Sequence, residues 1–351
     1  MLNRVHGTRY TVAELERALA EANSDHISDE GLIHRLSSVQ LTEMLSSSAL
    51  ARLEEEYPDP TIRPALIAVA DVSALLAPPP SDIPMTPVPD PTVQASLLSR
   101  AMDFVHKSAS RMSSLTATRE TMRFEDTPAA EKTSYQPLQR VGNSSVRVVF
   151  RDGHENVEDT KRYKTKNKDS DISVPEFGFM LSTVVADAAK GEIDWDHWEH
   201  AARGDEAVVS YEVSEELSHF LHFASPAIVT GTTPSSVTTQ SIGHDPGYHG
   251  EIWVNPVDGA ILRLSVIAEL KTPGPVTHAD YLVEYGPVKI DGVSYIFPVK
   301  GVMIELRADI GAIQNGSGNE HEPSRLDTVQ REYLYNVTYE KYLPIKNAVE
   351  H

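Results

Sequence analysis

The 351-residue chain contains no cysteine. That absence excludes disulfides, thiolate zinc sites, iron–sulfur clusters and a cysteine nucleophile. Basic side chains are scarce as well: 31 Lys and Arg stand against 51 Asp and Glu, a net charge of −20. Wholesale binding of nucleic acid or of an anionic membrane surface needs concentrated Lys and Arg, so neither is expected. Long hydrophobic runs are missing too. The longest apolar stretch, Ala65 to Ala77, is broken by Asp71 and falls short of the roughly 20 residues that a bilayer needs, so no transmembrane segment is expected. The chain also lacks G-x-S-x-G, Walker A, G-x-G-x-x-G and H-E-x-x-H motifs, and no cofactor is implied.

What is present is an ordinary globular composition, 40% hydrophobic and 23% charged, with length for about two domains. Residues 1–77 read as a small all-helical N-terminal domain. Thr11-Val12-Ala13-Glu14 fits a capping box, followed by Val12, Leu15 and Leu19 at helical spacing. Ser28 can cap a second helix through Leu32, Ile33 and Leu36, and Ser48 a third through Leu50, Leu53 and Tyr57. Asp59-Pro60 reads as an N-cap with proline at the first helical position, opening a helix with Leu66, Ile67, Val69, Ala70, Val72 and Leu75.

Between Pro78 and Pro91 seven residues are proline. Proline fixes φ and biases its predecessor toward extended backbone, so residues 78–91 form a semi-rigid linker and the best domain boundary in the chain. The alternative is a strap packed along one domain, since Ile83, Met85 and Val88 are apolar.

Asp90-Pro91 then starts a long helix to about Ser113, with Leu97, Leu98, Ala101, Met102, Phe104, Val105 and Met112 on one stripe. From Thr116 the period becomes two. The strand candidates are 116–125, 145–150, 207–213, 218–223, 250–254, 260–270, 279–286, 293–299, 302–308 and 328–339, many separated by turns such as Asp152-Gly153, Asn255 to Gly259 and Asp291-Gly292. One helix interrupts them, carrying Phe177, Met180, Leu181, Val184 and Val185 and closed by Gly191. Short turns between successive strands imply antiparallel pairing. Residues 92–346 are therefore expected to be α+β with one large curved antiparallel sheet, and 347–351 a tail. Lys161–Asp171 and Gln314–Pro323 read as solvated loops.

The strand–turn–strand segment Tyr248 to Leu264, with Trp253-Val-Asn-Pro-Val-Asp-Gly259, is followed by Glu284-Tyr-Gly-Pro-Val-Lys-Ile-Asp-Gly-Val-Ser-Tyr-Ile-Phe-Pro298. This succession resembles the C-terminal half of the bacterial lipoprotein-carrier (LolA/LolB-like) superfamily. The helix after Pro91 running into Leu115–Glu125 is similar to that fold's first helix and strand. The resemblance spans about 92–346, and the whole chain is also similar to secreted bacterial proteins of unassigned function. It implies an open half-barrel wrapped over helices, with an apolar concave face that accepts acyl chains or hydrophobic protein segments. The chain departs from the carriers in its length, its helical N-terminal unit and its inserts at 155–175 and 224–247, and no ligand-contacting residue is carried over.

Several constellations compete as sites. His197 and His200 in Trp195-Asp-His-Trp-Glu-His200 have metal-capable spacing on a helix, and His219 and His222 repeat it. On strands each pair would face opposite sides, leaving Trp195 and Trp198 as core anchors. His244, Asp245, Tyr248 and His249 sit in a Gly-rich turn; Asp169, Asp171 and Glu176 resemble a calcium loop without its central Gly. Asn143 and Asn336 lie in glycosylation-type triplets. Tyr333 and Tyr335 belong to a tyrosine row that lines either a groove or the core, and together with Trp195, Trp198 and Phe220 they are the candidate ligand contacts.

The leading expectation is an exported, non-enzymatic binding protein holding a lipophilic ligand, a lipoprotein acyl chain or a hydrophobic partner segment. The alternatives are an interaction or sensory module whose helical unit, residues 10–77, docks a protein partner, and a metal-dependent hydrolase. The N-terminal MLNRVHGTRYT lacks the apolar core of a signal peptide. It reads either as the mature start of a periplasmic or secreted chain or as a cytoplasmic one.

Overall fold

A computed structural model describes residues 8–126, 138–151, 154–158, 176–201, 204–219, 245–270, 276–310 and 328–345. The first part is built from β1 (Thr8–Tyr10), α1 (Val12–Ser24), α2 (Asp29–Ser37), β2 (Val39–Leu41), α3 (Ser47–Glu56) and α4 (Arg63–Ser73). The capping box is formed: Thr11 accepts from the Glu14 amide while Glu14 receives the Thr11 amide. Ser28 caps α2 as expected, but α3 starts earlier, with Ser46 accepting from the Ala49 amide at 3.3 Å. The expected helix start at Asp59-Pro60 is corrected. Asp59 instead closes a turn by accepting from the Thr61 amide and hydroxyl at 2.7 and 2.6 Å, and α4 follows with Pro64 in its first turn.

This unit is not purely helical. β1 and β2 pair in parallel, Arg9 opposite Gln40. Such three-residue strands show no periodicity of their own; their partners lie some thirty residues apart in the chain. Leu15, Leu19, Leu32, Leu36, Leu53 and Leu66 form the unit's core, each burial contributing roughly 1.5–3 kcal/mol.

After a short 3-10 turn at Pro80–Asp82 comes α5 (Pro91–Met112), capped by Asp90, which accepts from the Thr92 and Val93 amides. Then follow β3 (Leu115–Asp126), β4 (Leu138–Arg151), β5 (His154–Val157), α6 (Phe177–Ala188), β6 (Glu192–Ala201), β7 (Gly204–Val213), β8 (Tyr248–Val254), β9 (Ile261–Ala268), β10 (Val276–Ile290), β11 (Val293–Ile310) and β12 (Thr328–Pro344). Ten strands form one antiparallel sheet in the order β5-β4-β3-β12-β11-β10-β9-β8-β7-β6. Among the described residues the two end strands, β5 and β6, are not paired with each other, so this sheet is open and the domain is α+β.

The strands expected at 293–299 and 302–308 are one strand, β11, unbroken at Gly301. Glycine stands there because Phe177 of α6 lies on the backbone: an added Cβ would come within 2.5 Å of its ring. The candidate strand 218–223 is corrected over the part described. Residues 214–217 form a turn, and Ser218 and His219 follow without strand pairing.

Alternation sorts the sheet into two faces. On β12, Tyr333, Tyr335, Val337 and Tyr339 point toward α5 and α6, in the largest apolar cluster of the protein. Leu334 points the other way and packs with Phe124, Leu282, Val302 and Ile304 against Ala68 and Ala74 of the N-terminal unit. Helix α4 is apolar around most of its circumference because it is covered twice, by its own unit and by the sheet. The proline-rich segment also lies on the sheet domain: Trp198 of β6, an edge strand, donates its indole N–H to the Pro87 carbonyl at 3.0 Å.

Candidate functional site

The α5/α6 face was the expected ligand trough. Its apolar residues are occupied by the helices: Phe177, Phe179, Met180, Leu181 and Val184 of α6 and Leu97, Ala101 and Val105 of α5 belong to the same cluster as the inward-facing strand residues. Buried polar groups tie the helices down. Glu155 of edge strand β5 meets Arg119 at 2.7 Å, accepts from the Tyr339 hydroxyl at 2.8 Å and from the Gly178 amide at the start of α6. Burial pushes the Glu155 carboxyl above its ordinary pKa, against the pull of Arg119. At the other end of α6, Asp187 accepts from the His219 amide and ring at 2.7 Å and from the Tyr248 hydroxyl at 3.0 Å. Sequence reading placed His219 and Tyr248 in separate constellations and missed Asp187, the carboxylate that joins them.

On the opposite face the N-terminal unit leaves space. A cavity of about 940 Å³ lies between α2, β2 and α4 on one side and β3, β4, β9, β10 and β11 on the other. Its walls are largely apolar: Val69, Val72 and Leu75 from α4, and Phe124, Leu138 and Ile304 from the sheet. The polar lining includes Arg9, Glu30, His34, Arg140 and the pair His278–Asp280, whose ring nitrogen and carboxylate are 2.6 Å apart. This size and this mixture are those of small-molecule pockets, which run about 300–1,000 Å³ with a few polar groups set in apolar walls. A smaller cavity of about 380 Å³, also bordered by the N-terminal unit and the sheet, includes Glu199, Arg263, Glu284 and Lys300 in its lining.

Two polar clusters hold the unit over the sheet. In the first, Lys300 Nζ is 2.7 Å from Asp71 Oδ1 and 4.0 Å from Glu284, while Asn336 donates to Asp71 Oδ2 at 2.7 Å. Burial alone would lower the Lys300 pKa, but Asp71 and Glu284 together raise it, so the ammonium stays charged. In the second, the Arg263 guanidinium stacks over Trp253 at 4.6 Å and donates to Met44 Sδ and the Ala74 carbonyl. Trp253 donates to Glu199 at 2.8 Å, and His197 lies 3.6 Å from the same carboxylate oxygen. The neighbouring Glu199 carboxylate raises the His197 pKa against its partial burial. Burial pushes Glu199 upward, yet His197, Trp253 and Arg263 hold it below the usual carboxylate value. Glu251, desolvated and sharing a hydrogen bond with Asp196, is pushed up to about 7.

The sequence candidates are thus dispersed. His197 turns to Glu199, His200 to Asp205 at 2.5 Å, and His219 to Asp187. Among the described residues no group of three or more His, Asp or Glu is arranged to hold a metal ion. Trp195 and Trp198 share a face, although an unbroken strand would separate positions three apart. A bulge at Asp196 shifts the register between Trp195 and His197, and the rings meet edge-on with centroids 5.0 Å apart. The Arg307 and Arg331 guanidinium groups lie 4.8 and 5.8 Å from the centre of the Tyr333 ring, and Tyr335 is buried. Glu176 accepts from the Glu155 amide and contacts His154, binding β5 to the start of α6. Phe220, His222, His244, Asp169 and Asp171 lie outside the described residues.

No protein-family model and no curated protein matches the chain. Among solved structures, the crystal structure of MucB in complex with MucA(peri) aligns over 72% of this chain and 99% of that one, at 10% identity and a TM-score of 0.20. A likeness that slight carries no argument about ligand or partner. Among the described residues no helix is long and apolar enough to cross a membrane.

Proposed function

We propose that this is a non-enzymatic binding protein which holds an apolar ligand between its N-terminal unit and the exposed face of its sheet. The observation that carries the reading is the cavity of about 940 Å³ with walls from both parts of the chain. The occupant expected from the sequence, a lipid chain or a hydrophobic partner segment, moves from the α5/α6 face, which the protein fills with its own helices, to the opposite one. The buried carboxylates Asp71, Glu155 and Asp187 are engaged in joining secondary-structure elements. An exported, periplasmic or secreted location goes with this reading, and cell fractionation of the full-length gene product tests it.

The cavity reading is tested with N-phenyl-1-naphthylamine, an apolar dye that brightens out of water, and by native mass spectrometry of protein purified from cells. Wild-type protein is expected to bind the dye in the micromolar range. Val72→Trp, which fills the cavity from its α4 wall, is expected to weaken binding at least ten-fold with an unchanged circular dichroism spectrum. Dye binding that ignores Val72→Trp, or no binding at all, refutes the reading.

A further inference from the structure

The geometry points to an anionic amphiphile as the occupant of this cavity: an apolar chain ending in a carboxylate or phosphate group. This rests on the binding reading above and adds the head group. Arg9 and Arg140 both line the cavity, from its two opposite walls. Arg9 lies on β1, opposite Gln40 of β2. Arg140 lies on β4, opposite Phe124 of β3, and directly opposed residues share a face, so it stands on the cavity side of the sheet beside Leu138.

Both arginines are exposed, and neither forms an ion pair among the described residues. In a chain with 20 more acidic than basic side chains, cations without a carboxylate partner at one apolar cavity are an electrostatic feature that the fold does not use. The cations buried in the sheet domain are by contrast spent on carboxylates: Arg119 on Glu155, Lys300 on Asp71, Arg307 on Glu305. The planar guanidinium fork matches a carboxylate or phosphate with two parallel hydrogen bonds, and such charge-assisted bonds are the strong ones. Of the acidic groups lining the cavity, Asp280 is engaged by His278, which leaves Glu30 of α2 as the opposing charge. His34 adds a ring N–H donor to the lining. The apolar walls then take the chain and the arginines take the head.

The test is displacement of N-phenyl-1-naphthylamine by chain-matched dodecyl compounds below their micelle concentrations: dodecanoate, dodecyl phosphate, dodecanol and dodecylamine. The wild-type protein is expected to prefer the two anions over dodecanol at least ten-fold, with a preference that shrinks as salt rises. The double variant Arg9→Gln, Arg140→Gln is expected to lose that preference while binding dodecanol as before. These are surface substitutions, and an unchanged melting temperature verifies the fold. Comparing the carboxylate with the phosphate separates a fatty-acid-like head from a phospholipid-like one. Equal binding of anion and alcohol overturns the inference and leaves the cavity reading intact, whereas preference for dodecylamine assigns the head group to Glu30 and Asp280 instead. If neither dye nor any dodecyl compound binds, the cavity reading itself fails.

Discussion

Replacing Lys300 by Met puts the attachment of the N-terminal unit to a direct test. The Asp71 side chain is fully buried, and its Oδ1 lies 2.7 Å from Lys300 Nζ. At an effective dielectric of about 20, unit charges at that separation attract by about 6 kcal/mol, most of which offsets the cost of taking both groups out of water. The pair therefore adds little net stability while intact. Losing one member is different, because Asp71 keeps its burial and retains the neutral amide of Asn336. A stranded buried charge costs roughly 3–5 kcal/mol, a large part of a typical folding free energy of about 5–15 kcal/mol. Urea unfolding followed by tryptophan fluorescence and circular dichroism measures the loss. The double variant Asp71→Leu, Lys300→Met removes both charges and is expected to recover at least half of it; the remaining deficit is the unpaired Asn336 amide, about 1–3 kcal/mol. A cost below about 1 kcal/mol for Lys300→Met, or a double variant as unstable as the sum of its singles, refutes the argument that this contact is buried and charged.

The Asp196–Glu251–His197 cluster gives a pH prediction. Glu251 has a folded pKa of about 7, above the roughly 4.3 of an unfolded chain, so its contribution is complete below about pH 4 and is lost as pH rises to 7. His197, also raised, contributes fully below about pH 6.5 and loses its share as pH climbs through the higher folded value. Both slopes run the same way: stability is expected to fall by about 2–3 kcal/mol between pH 5 and 8, and Glu251→Gln to remove most of that fall. Melting curves at four pH values decide it, and parallel curves for the two proteins rule the assignment out. Gly259→Ala is expected to cost about 2 kcal/mol or more, from a positive φ and from crowding. At φ +75° its Cβ would stand 2.6 Å from the Arg100 Cβ of α5; an unchanged melting temperature in calorimetry would contradict this.

Much of the architecture could be read from local signals. The cap at Thr11, the Asp90-Pro91 helix start and the Asp291-Gly292 hairpin are decided by a few neighbouring residues, and the alternation from Arg331 to Tyr339 shows which side chains share a face. What escaped was decided at long range. In the sequence Asp71 only breaks an apolar stretch; its partners Lys300 and Asn336 are brought to it from β11 and β12. Glu155 reads as a loop charge, yet it is buried because Arg119 and Tyr339 meet it on the sheet. The indole pair on β6 needed a bulge that neither tryptophan announces. The cavity is the extreme case: its walls come from residues as far apart as Arg9 and Ile304, each unremarkable alone.

The seating of the proline-rich segment beside β6 has a consequence for solution behaviour. An outermost strand exposes a row of backbone groups that can template pairing with a second molecule. A stretch dense in proline offers few N–H groups with which to extend the ladder, and the indole of Trp198 fastens it in place at Pro87. The segment thus acts as a bumper, and its removal is expected to leave β6 open to edge-to-edge pairing with another strand.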